Sequence, residues 1–399
     1  MAPTLANPIT SLSSWDEVFN FVVTEANGVK GLSDLGLTGV PNQYVQPVDQ
    51  RIHTNQQSTS TTKSVLQSQD LDQQTLHSIP IIDLKNWEWL TNDDDILDND
   101  HPIGKSICDA AEKWGFFQII NHGVPLEVLD NVIEAAHRFF ALPASERRKY
   151  VKENLPQDAS IELLTSFSPQ KEKVLEWKDF LMHAFYDDDF EQKCSSFWPS
   201  VSREQTLEYF KCVKPLIKRL LTVLLKGVGL KEMDDKREHQ LMGLLMANFN
   251  YYPICPTPEV TAGTGRHSDI SSITVLHQDS TGGLYVKAPD WITEEKVESW
   301  IHVTPIREAL VINIGDVLQI VSNDRYKSIE HRVIPSSAKN RVSVPIFADP
   351  PKDATIGPLP EILERGDKAI YKDILYSDYF KYFFGKPHDG KGTIECARV

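Results

Sequence analysis

The stretch RHSDISSITVLHQDSTGGLYVK, residues 266–287, carries the pattern that decides the fold. Short runs of alternating apolar and polar residues are separated by Gly, Asp and Ser, as in β-strands joined by tight turns. The same pattern extends over residues 244–347 and favours a sandwich or jelly roll of short strands. The predicted strands are Leu244–Tyr252, Ser272–His277, Leu284–Lys287, Trp300–Val303, Ala309–Ile314, Val317–Ile320, Ser328–Val333 and Arg341–Phe347.

Two histidines and one aspartate in this region form a candidate metal site. His267 and Asp269 are two residues apart, so on extended chain they face the same way, about 6.6 Å apart. His331 lies on a different predicted strand. Two imidazoles and a carboxylate are the ligands of non-haem Fe(II) oxygenases, which keep positions open for a co-substrate and O2. Zinc accepts the same ligand types, and a solvated turn explains many isolated HxD pairs, so the residues alone leave the metal open.

A candidate carboxylate site lies on the last predicted strand. Arg341 and Ser343 share one face of it, and the apolar residues that alternate with them share the other. A guanidinium fork and a hydroxyl match a carboxylate, so beside a metal they would bind the far end of a keto-diacid. The alternative is an arginine on an edge strand with a solvent role, which Pro345 also favours.

Two further strand positions suggest ligand contact. Asn248, Asn250 and Tyr252 share one face of the first predicted strand. A polar inner face is explained by a ligand or by a packed hydrogen-bond network. Phe347 shares the face of Arg341 and is placed either to stack on an aromatic substrate or to fill the core.

The rest of the chain predicts further units around this region. Ser14 and Glu17 fit a capping box at the start of a helix, and glycines from Gly28 onward predict turns after it. Periodicity predicts helices over 104–114, 128–140, 204–228 (kinked at Pro215) and 373–384, and strands at 81–82 and 116–120. The predicted units are an N-terminal helix with turns (1–50), a polar linker (51–78), a mixed helical domain (79–230), the strand-rich domain (240–350) and a helical extension (351–399).

Composition limits the possible partners and location. The 399 residues carry a formal net charge of −15, which disfavours nucleic acid as a partner. Apolar runs are shorter than the roughly 20 residues of a membrane helix, and the N-terminus lacks the regions of a secretory signal. The five cysteines are dispersed without a CxxC pair, which fits a reducing compartment. We therefore expect a cytoplasmic protein that does not bind membranes.

Several motifs together resemble those of plant 2-oxoglutarate-dependent dioxygenases. They are WGFFQIINHGV (114–124), NYYPICP (250–256), RHSD (266–269), GGL (282–284), NIGD (313–316), SNDRYKSIEHRV (322–333) and RVSVPIF (341–347). The resemblance implies an α+β protein with a double-stranded β-helix (jelly-roll) core flanked by helices, and a helical N-terminal domain. It also implies that His267, Asp269 and His331 bind Fe(II). The resemblance further implies that Arg341 and Ser343 bind the distal carboxylate of 2-oxoglutarate, with Asn250 and Tyr252 assisting. It implies that Phe347 stacks on the ring of the substrate.

Three more stretches are similar to feruloyl-CoA and p-coumaroyl-CoA ortho-hydroxylases: 27–47, LEWKDFL (175–181) and YSDYFKYFFGKPHDGK (376–391). This resemblance implies hydroxylation of an aromatic CoA thioester with 2-oxoglutarate and O2 as co-substrates and ascorbate as a reductant in vitro. The polar stretch 51–78 and the loop 288–299 are longer than is usual in the family, and the loop bears on substrate identity. A hydroxylase of a free coumarin such as scopoletin, a non-catalytic binding protein and a zinc hydrolase are the alternatives.

A CoA thioester carries several negative charges and requires local basic residues. Arg147, Arg148, Lys149 and Lys152 form one candidate cluster. A solvated helix end is the alternative interpretation of this run.

Overall fold

The computed structural model describes residues 14–51, 78–85, 87, 101–185, 197–292 and 298–399. Of the predicted linker 51–78, only residues 51 and 78 are among the described residues. Residues 293–297 of the enlarged loop also lie outside the described residues. Within the described part, no helix is long and apolar enough to cross a membrane.

Two main sheets organise the molecule. The large sheet has eight strands in the order β1-β2-β10-β7-β12-β5-β4-β3, and the small sheet has four in the order β6-β11-β8-β9. The strands are β1 Ile81–Asp83, β2 Phe116–Ile120, β3 Ile161–Thr165, β4 Asp179–Phe185, β5 Leu244–Tyr252, β6 Thr264–His267, β7 Ile273–Gln278, β8 Leu284–Lys287, β9 Trp300–His302, β10 Leu310–Ile314, β11 His331–Val333, β12 Arg341–Asp349, β13 Thr355–Ile356 and β14 Ile374–Leu375.

Helices lie on the outside of the large sheet and in the first and last described segments of the chain. They are α1 Trp15–Phe19, α2 Gly28–Asp34, α3 Pro102–Lys113, α4 Leu126–Ala141, α5 Ala144–Arg147, α6 Arg203–Gly227, α7 Asp235–Met242, α8 Asp316–Val321, α9 Pro360–Leu363 and α10 Tyr376–Phe384. The predicted helices over 104–114, 128–140 and 204–228 are confirmed within three residues at each end. Helix α6 passes through Pro215 without ending there. The predicted 373–384 helix begins at Tyr376 because Ile374 and Leu375 form a strand first.

Strands β5 to β12 form the predicted jelly roll. Strands β10, β7, β12 and β5 of the large sheet supply one layer, and the small sheet supplies the other. Tyr252 and Leu276 of the large sheet pack with Leu284, Val286 and Val333 of the small sheet. The site residues therefore lie between two sheets.

Alternation along β5 and β12 produces the two different faces expected from the sequence. Val342, Val344 and Ile346 lie in the main hydrophobic core, together with leucines of α6 such as Leu220 and Leu224. Burying each such side chain contributes roughly 2 kcal/mol. Because successive strand residues point to opposite faces, the residues between them must point to the small sheet.

One predicted strand in this part of the fold is wrong, and one observed strand is missing from the prediction. Val317–Ile320 is helix rather than strand, since it lies inside α8, whose residues are all buried. A short, mostly apolar run does not distinguish a buried strand from a buried helix. The eighth strand of the jelly roll is instead Thr264–His267, which contains a glycine and has no apolar alternation.

The N-terminal segment confirms one prediction and corrects another. The Ser14–Glu17 capping box is present, with both reciprocal hydrogen bonds, and α1 continues as a π-helical turn over Asn20–Thr24. The predicted turns after Gly28 are wrong for the first seven residues, which form α2. The carboxylate of Asp179 accepts hydrogen bonds from the amides of Val29 and Lys30, each at 2.8 Å, and thereby caps this helix from 150 residues away.

Candidate functional site

The three predicted metal ligands converge between the two sheets. His267 ends β6, His331 begins β11, and the two residues are direct cross-strand partners. Asp269 follows β6 by two residues. Its Oδ1 lies 3.5 Å from Nε2 of His267 and 3.6 Å from Nε2 of His331. One potential ligand atom from each residue lies within 4.8 Å of the other two, a spacing that one metal ion spans.

Hydrogen bonds fix the orientation of each ligand. Nδ1 of His267 lies 2.9 Å from the carbonyl oxygen of Gly265, and Nδ1 of His331 lies 3.4 Å from that of Ile329. A ring N–H donated to a carbonyl at Nδ1 leaves the lone pair on Nε2, which points into the cluster. Both imidazoles are therefore arranged as ligands.

The carboxylate of Asp269 divides its two oxygens between two tasks. Oδ2 accepts hydrogen bonds from Oγ1 of Thr274 at 2.6 Å and Nδ2 of Asn313 at 2.8 Å. Oδ1 is the oxygen that faces both imidazoles. Thr274 and Asn313 thus hold the carboxylate in one orientation, a role that the sequence interpretation missed.

Electrostatics favour a deprotonated ligand set. Burial opposes ionisation of Asp269, but the nearby His331 and His267 hold its pKa below its ordinary value. Burial and the neighbouring His267 lower the pKa of His331 to about 4. The cluster therefore presents a carboxylate and a neutral imidazole near pH 7, the forms that coordinate a metal.

The guanidinium of Arg341 lies on the inner face of β12 and is 1% exposed. Nη1 donates to Oγ of Ser343 at 2.9 Å, and Nη2 donates to Oε1 of Gln278 at 2.9 Å. The guanidinium carbon lies 5.0 Å from the centre of the Tyr252 ring. The alternative of an edge-strand arginine is wrong, because β12 pairs with β5 on one side and β7 on the other. The register of β12 with both neighbouring strands stays constant through Pro345, without a bulge.

The surroundings of Arg341 fit a carboxylate ligand. No acidic side chain within the described ranges forms an ion pair with it, and its Nε has no hydrogen-bond partner there. A buried cation without a counter-charge is costly, whereas a bound carboxylate would supply the charge and the missing acceptors. Gln278, which the sequence interpretation also missed, completes the polar wall beside it.

Cross-strand register places the other predicted contact residues on the same inner face. Asn250 is the partner of Ser343, and Tyr252 is the partner of Arg341. The hydroxyl of Tyr252 lies 3.1 Å from that of Thr264. These positions put Asn250 and Tyr252 at the arginine end of the site.

Phe347 lies at the metal end of this face. It is paired with Met246 on one side and with Thr274 on the other, the residue that bonds Asp269. The phenylalanine ring is only half-buried. It is therefore available to contact a ligand beside the metal ligands.

A second buried carboxyl group near the metal cluster gives a testable pH dependence. Burial raises the pKa of Asp349 from 3.8 to about 7, although the hydroxyl of Tyr376 donates to it at 2.8 Å. The folded protein keeps a proton here that the unfolded chain releases, so stability falls as pH rises from about 4 through 7. Asp349→Asn keeps an acceptor for the hydroxyl of Tyr376 and should remove this pH-dependent loss of stability.

Urea unfolding at pH 5.5 and pH 8.5 measures the effect of Asp349→Asn. We expect the variant to gain stability relative to the natural protein, on the order of a few kcal/mol at pH 8.5 and roughly half as much at pH 5.5, where part of the loss has already occurred. Parallel pH profiles for the two proteins would show that Asp349 does not titrate in this range.

The basic cluster considered for CoA phosphates is not a continuous free surface. Arg147 is buried and donates to the backbone carbonyls of Phe140 and Asn27. Lys149 forms an ion pair with Glu146 at 2.6 Å. The prediction of a basic rim is therefore wrong for Arg147, and it stays a prediction for the exposed Arg148, Lys149 and Lys152.

Two family models match the chain over the segments that form the site. The 2OG-Fe(II) oxygenase superfamily matches residues 244–350, which contain the jelly roll. The N-terminal region of non-haem dioxygenases in morphine synthesis matches residues 79–201.

Curated relatives match over essentially the whole chain. A feruloyl CoA ortho-hydroxylase of Ipomoea batatas is 49% identical over 98% of this chain and 99% of its own length. Feruloyl CoA ortho-hydroxylase 1 of Arabidopsis thaliana is 47% identical over the full length of both chains. A bi-functional coumaroyl CoA and feruloyl CoA ortho-hydroxylase of Ruta graveolens is 48% identical over 100% of this chain and 99% of its own.

Solved structures agree on the fold. The crystal structure of JOX2 in complex with 2OG, Fe and JA superimposes with a TM-score of 0.73 at 30% identity, covering 93% of this chain and 97% of that one. A rice dioxygenase for auxin oxidation has a TM-score of 0.65 at 22% identity, covering 81% and 100%. The convergent His-Asp-His cluster, the buried arginine and these full-length matches agree, and the chain therefore belongs to the 2OG-Fe(II) oxygenase superfamily and is a 2-oxoglutarate-dependent dioxygenase.

Proposed function

We propose that this enzyme acts in the cytoplasm and hydroxylates the aromatic ring of a hydroxycinnamoyl-CoA, feruloyl-CoA or p-coumaroyl-CoA or both, next to the side chain. The product of such a reaction can close to a coumarin such as scopoletin or umbelliferone. The observation that carries the substrate class is identity of 46–49% with ortho-hydroxylases of these thioesters over 96–100% of this chain. This likeness includes both matched domains and the C-terminal segment.

In the proposed site, His267, Asp269 and His331 hold Fe(II). Bound iron would supply the oxidising chemistry with 2-oxoglutarate and O2, so that one oxygen atom enters the ring and the other enters succinate, with release of CO2. Three protein ligands of this kind would leave positions free for the co-substrate and O2, which this chemistry requires. Thr274 and Asn313 keep the Asp269 carboxylate aimed at the metal.

Arg341 and Ser343 bind the distal carboxylate of 2-oxoglutarate in this proposal. The fork of Arg341 is already oriented by Ser343 and Gln278, so little side-chain freedom is lost when the carboxylate arrives. Tyr252 lies under the guanidinium, and Asn250 is beside Ser343 on the next strand. The positive charge also offsets the repulsion that a net charge of −15 exerts on a dianion.

The substrate ring is proposed to lie against Phe347. This side chain is half-buried and lies in one cross-strand row with Thr274, next to the Asp269 carboxylate. An aromatic pair held in offset or edge-on contact contributes about 1 kcal/mol beyond its buried area, and it also restricts the orientation of the ring. The protein's contribution is thus orientation and electrostatics, and no general acid or base is needed.

A substrate panel tests the proposal. Purified enzyme with iron, 2-oxoglutarate and ascorbate is incubated with feruloyl-CoA, p-coumaroyl-CoA, free ferulate and scopoletin, and the mass and ring position of each product are determined. We expect conversion of one or both thioesters to ring-hydroxylated products and no reaction of the free acid. The His267→Ala variant is the control for iron-dependent background.

The competing function is hydroxylation of a free coumarin. It would appear in the same panel as turnover of scopoletin without turnover of either thioester, and that result would refute the thioester proposal. Succinate release without any product from the four compounds would likewise exclude the hydroxycinnamoyl class.

A further inference from the structure

The C-terminal segment reaches the metal cluster through His388. The imidazole of His388 is stacked on that of the metal ligand His267, with ring centres 4.5 Å apart and planes inclined by 14°. The same His388 ring is stacked on Phe167 at 3.7 Å. The side chain of His388 is 7% exposed. A residue 121 positions beyond His267 therefore forms part of the packing around it.

His388 is held in this position by a buried carboxylate. Nδ1 of His388 lies 2.7 Å from Oε1 of Glu176, whose side chain is 3% exposed. The same Oε1 accepts a hydrogen bond from the amide of Gly265 at 2.6 Å. The carbonyl of Gly265 in turn binds Nδ1 of His267. These four residues form a closed loop of contacts around one metal ligand.

Neighbouring contacts attach the C-terminal segment to the same strand. The amide of Gly390 donates to the carbonyl of Arg266 at 3.0 Å, and Gly390 forms an isolated β-bridge with His267. Gly390 has φ of +79°, and a Cβ there would collide with the Glu330 carboxylate, so the close approach requires glycine. Lys391 donates to the carbonyl of Ser328 on the far side.

We propose that His388 and Glu176 are positioning residues for the iron ligand His267, so that metal affinity depends on the C-terminal segment. The stacked ring limits rotation of the His267 imidazole, and Glu176 fixes the backbone of Gly265 that sets its tautomer. Residues that orient a metal-binding histidine typically change metal affinity by about 10- to 100-fold when they are replaced. The inference rests on the proposed role of His267 as an iron ligand.

Metal binding by apoprotein, rather than turnover, tests this inference. Anaerobic titration with Co(II), a redox-stable substitute for Fe(II), gives a dissociation constant from the visible absorption bands. We expect His388→Ala to weaken Co(II) binding about 10- to 100-fold. His388→Phe keeps a stacked ring but loses the bond to Glu176, so it should recover part of the affinity. The KM for 2-oxoglutarate at saturating iron should not change in either variant.

Lys386→Ala is the matched control from the same segment. It removes an ion pair with Asp389 at 2.7 Å and makes no contact with His267, so Co(II) affinity should stay within twofold of the natural protein. Equal losses in Lys386→Ala and His388→Ala would indicate general loosening of the segment and overturn the inference. If His388→Ala does not fold, the Co(II) affinity of His388→Phe is the deciding measurement. An affinity equal to that of the natural protein would exclude a role for the hydrogen bond between His388 and Glu176.

The titration also separates this inference from the proposed function. The natural protein should bind one Co(II), and His267→Ala should abolish that binding. Co(II) binding that persists in His267→Ala, or no Co(II) binding by the natural protein, would refute the assignment of His267 as a ligand. Normal binding that persists in His388→Ala would refute only the positioning role.

Discussion

Replacing His267 or Asp269 with alanine is expected to abolish turnover and to leave the purified protein without iron. Each substitution removes one of the three proposed ligands, and the remaining two would not hold a labile divalent ion against water. Asp269→Ala should lose at least as much iron and turnover as His267→Ala, because the carboxylate supplies the negative charge among the three proposed ligands. Iron per chain after anaerobic reconstitution and succinate release are the two measurements.

The control for these variants is a histidine of similar burial outside the site. His137 is half-buried on α4, and His137→Ala should keep iron content and rate close to those of the natural protein. If His267→Ala retained the natural rate, the metal assignment would be wrong. Melting temperatures measured in parallel distinguish ligand loss from unfolding.

Much of this site was predictable because its residues are arranged by strand alternation. Arg341, Ser343 and Phe347 lie on one face of β12, and the apolar residues between them enter the core, as a period of two requires. The HxD spacing also brought two proposed ligands within reach of one ion, although Asp269 lies two residues beyond the end of β6. Such patterns depend on residues close in sequence, so they can be recognised without knowing which strands pair.

The parts that could not be predicted depend on contacts between distant residues. Helix α2 is capped by Asp179, which lies 150 residues away, and the glycine-rich sequence of the segment by itself indicates turns. Strand β6 has little strand propensity and exists because it pairs with β11. Glu176 and His388 are 212 residues apart, and neither has a local signal for its role beside His267.

The orientation of Asp269 shows the same limit within the site. Thr274 lies on β7 and Asn313 on β10, and only their pairing in the large sheet brings both side chains to Oδ2. The proposed ligands were identifiable from residue type and spacing, whereas the residues that orient them were not. The positioning role proposed for His388 likewise depends on contacts between residues far apart in the sequence.

Replacing Arg341 with alanine is expected to raise the KM for 2-oxoglutarate by about 100-fold and to lower the rate at saturation much less. Two charge-assisted hydrogen bonds to a carboxylate contribute about 3 kcal/mol, and 1.4 kcal/mol corresponds to a factor of ten. Iron binding should persist, since Arg341 contacts none of the three ligands. The KM of Arg341→Lys for 2-oxoglutarate should lie between those of Arg341→Ala and the natural protein, because lysine keeps the charge but loses the planar fork.

Arg332→Ala is the matched control for this prediction. Arg332 is also buried, but it lies on the opposite face of β11 from His331, with its guanidinium carbon 5.4 Å from the centre of the Trp300 ring. Its removal costs a comparable amount of packing without touching the inner face, so the KM for 2-oxoglutarate should stay unchanged. Equal KM values in Arg341→Ala and the natural protein would place the distal carboxylate elsewhere, even if the iron assignment held. The two assignments are thus tested independently, one by metal content and the other by the concentration dependence of the co-substrate.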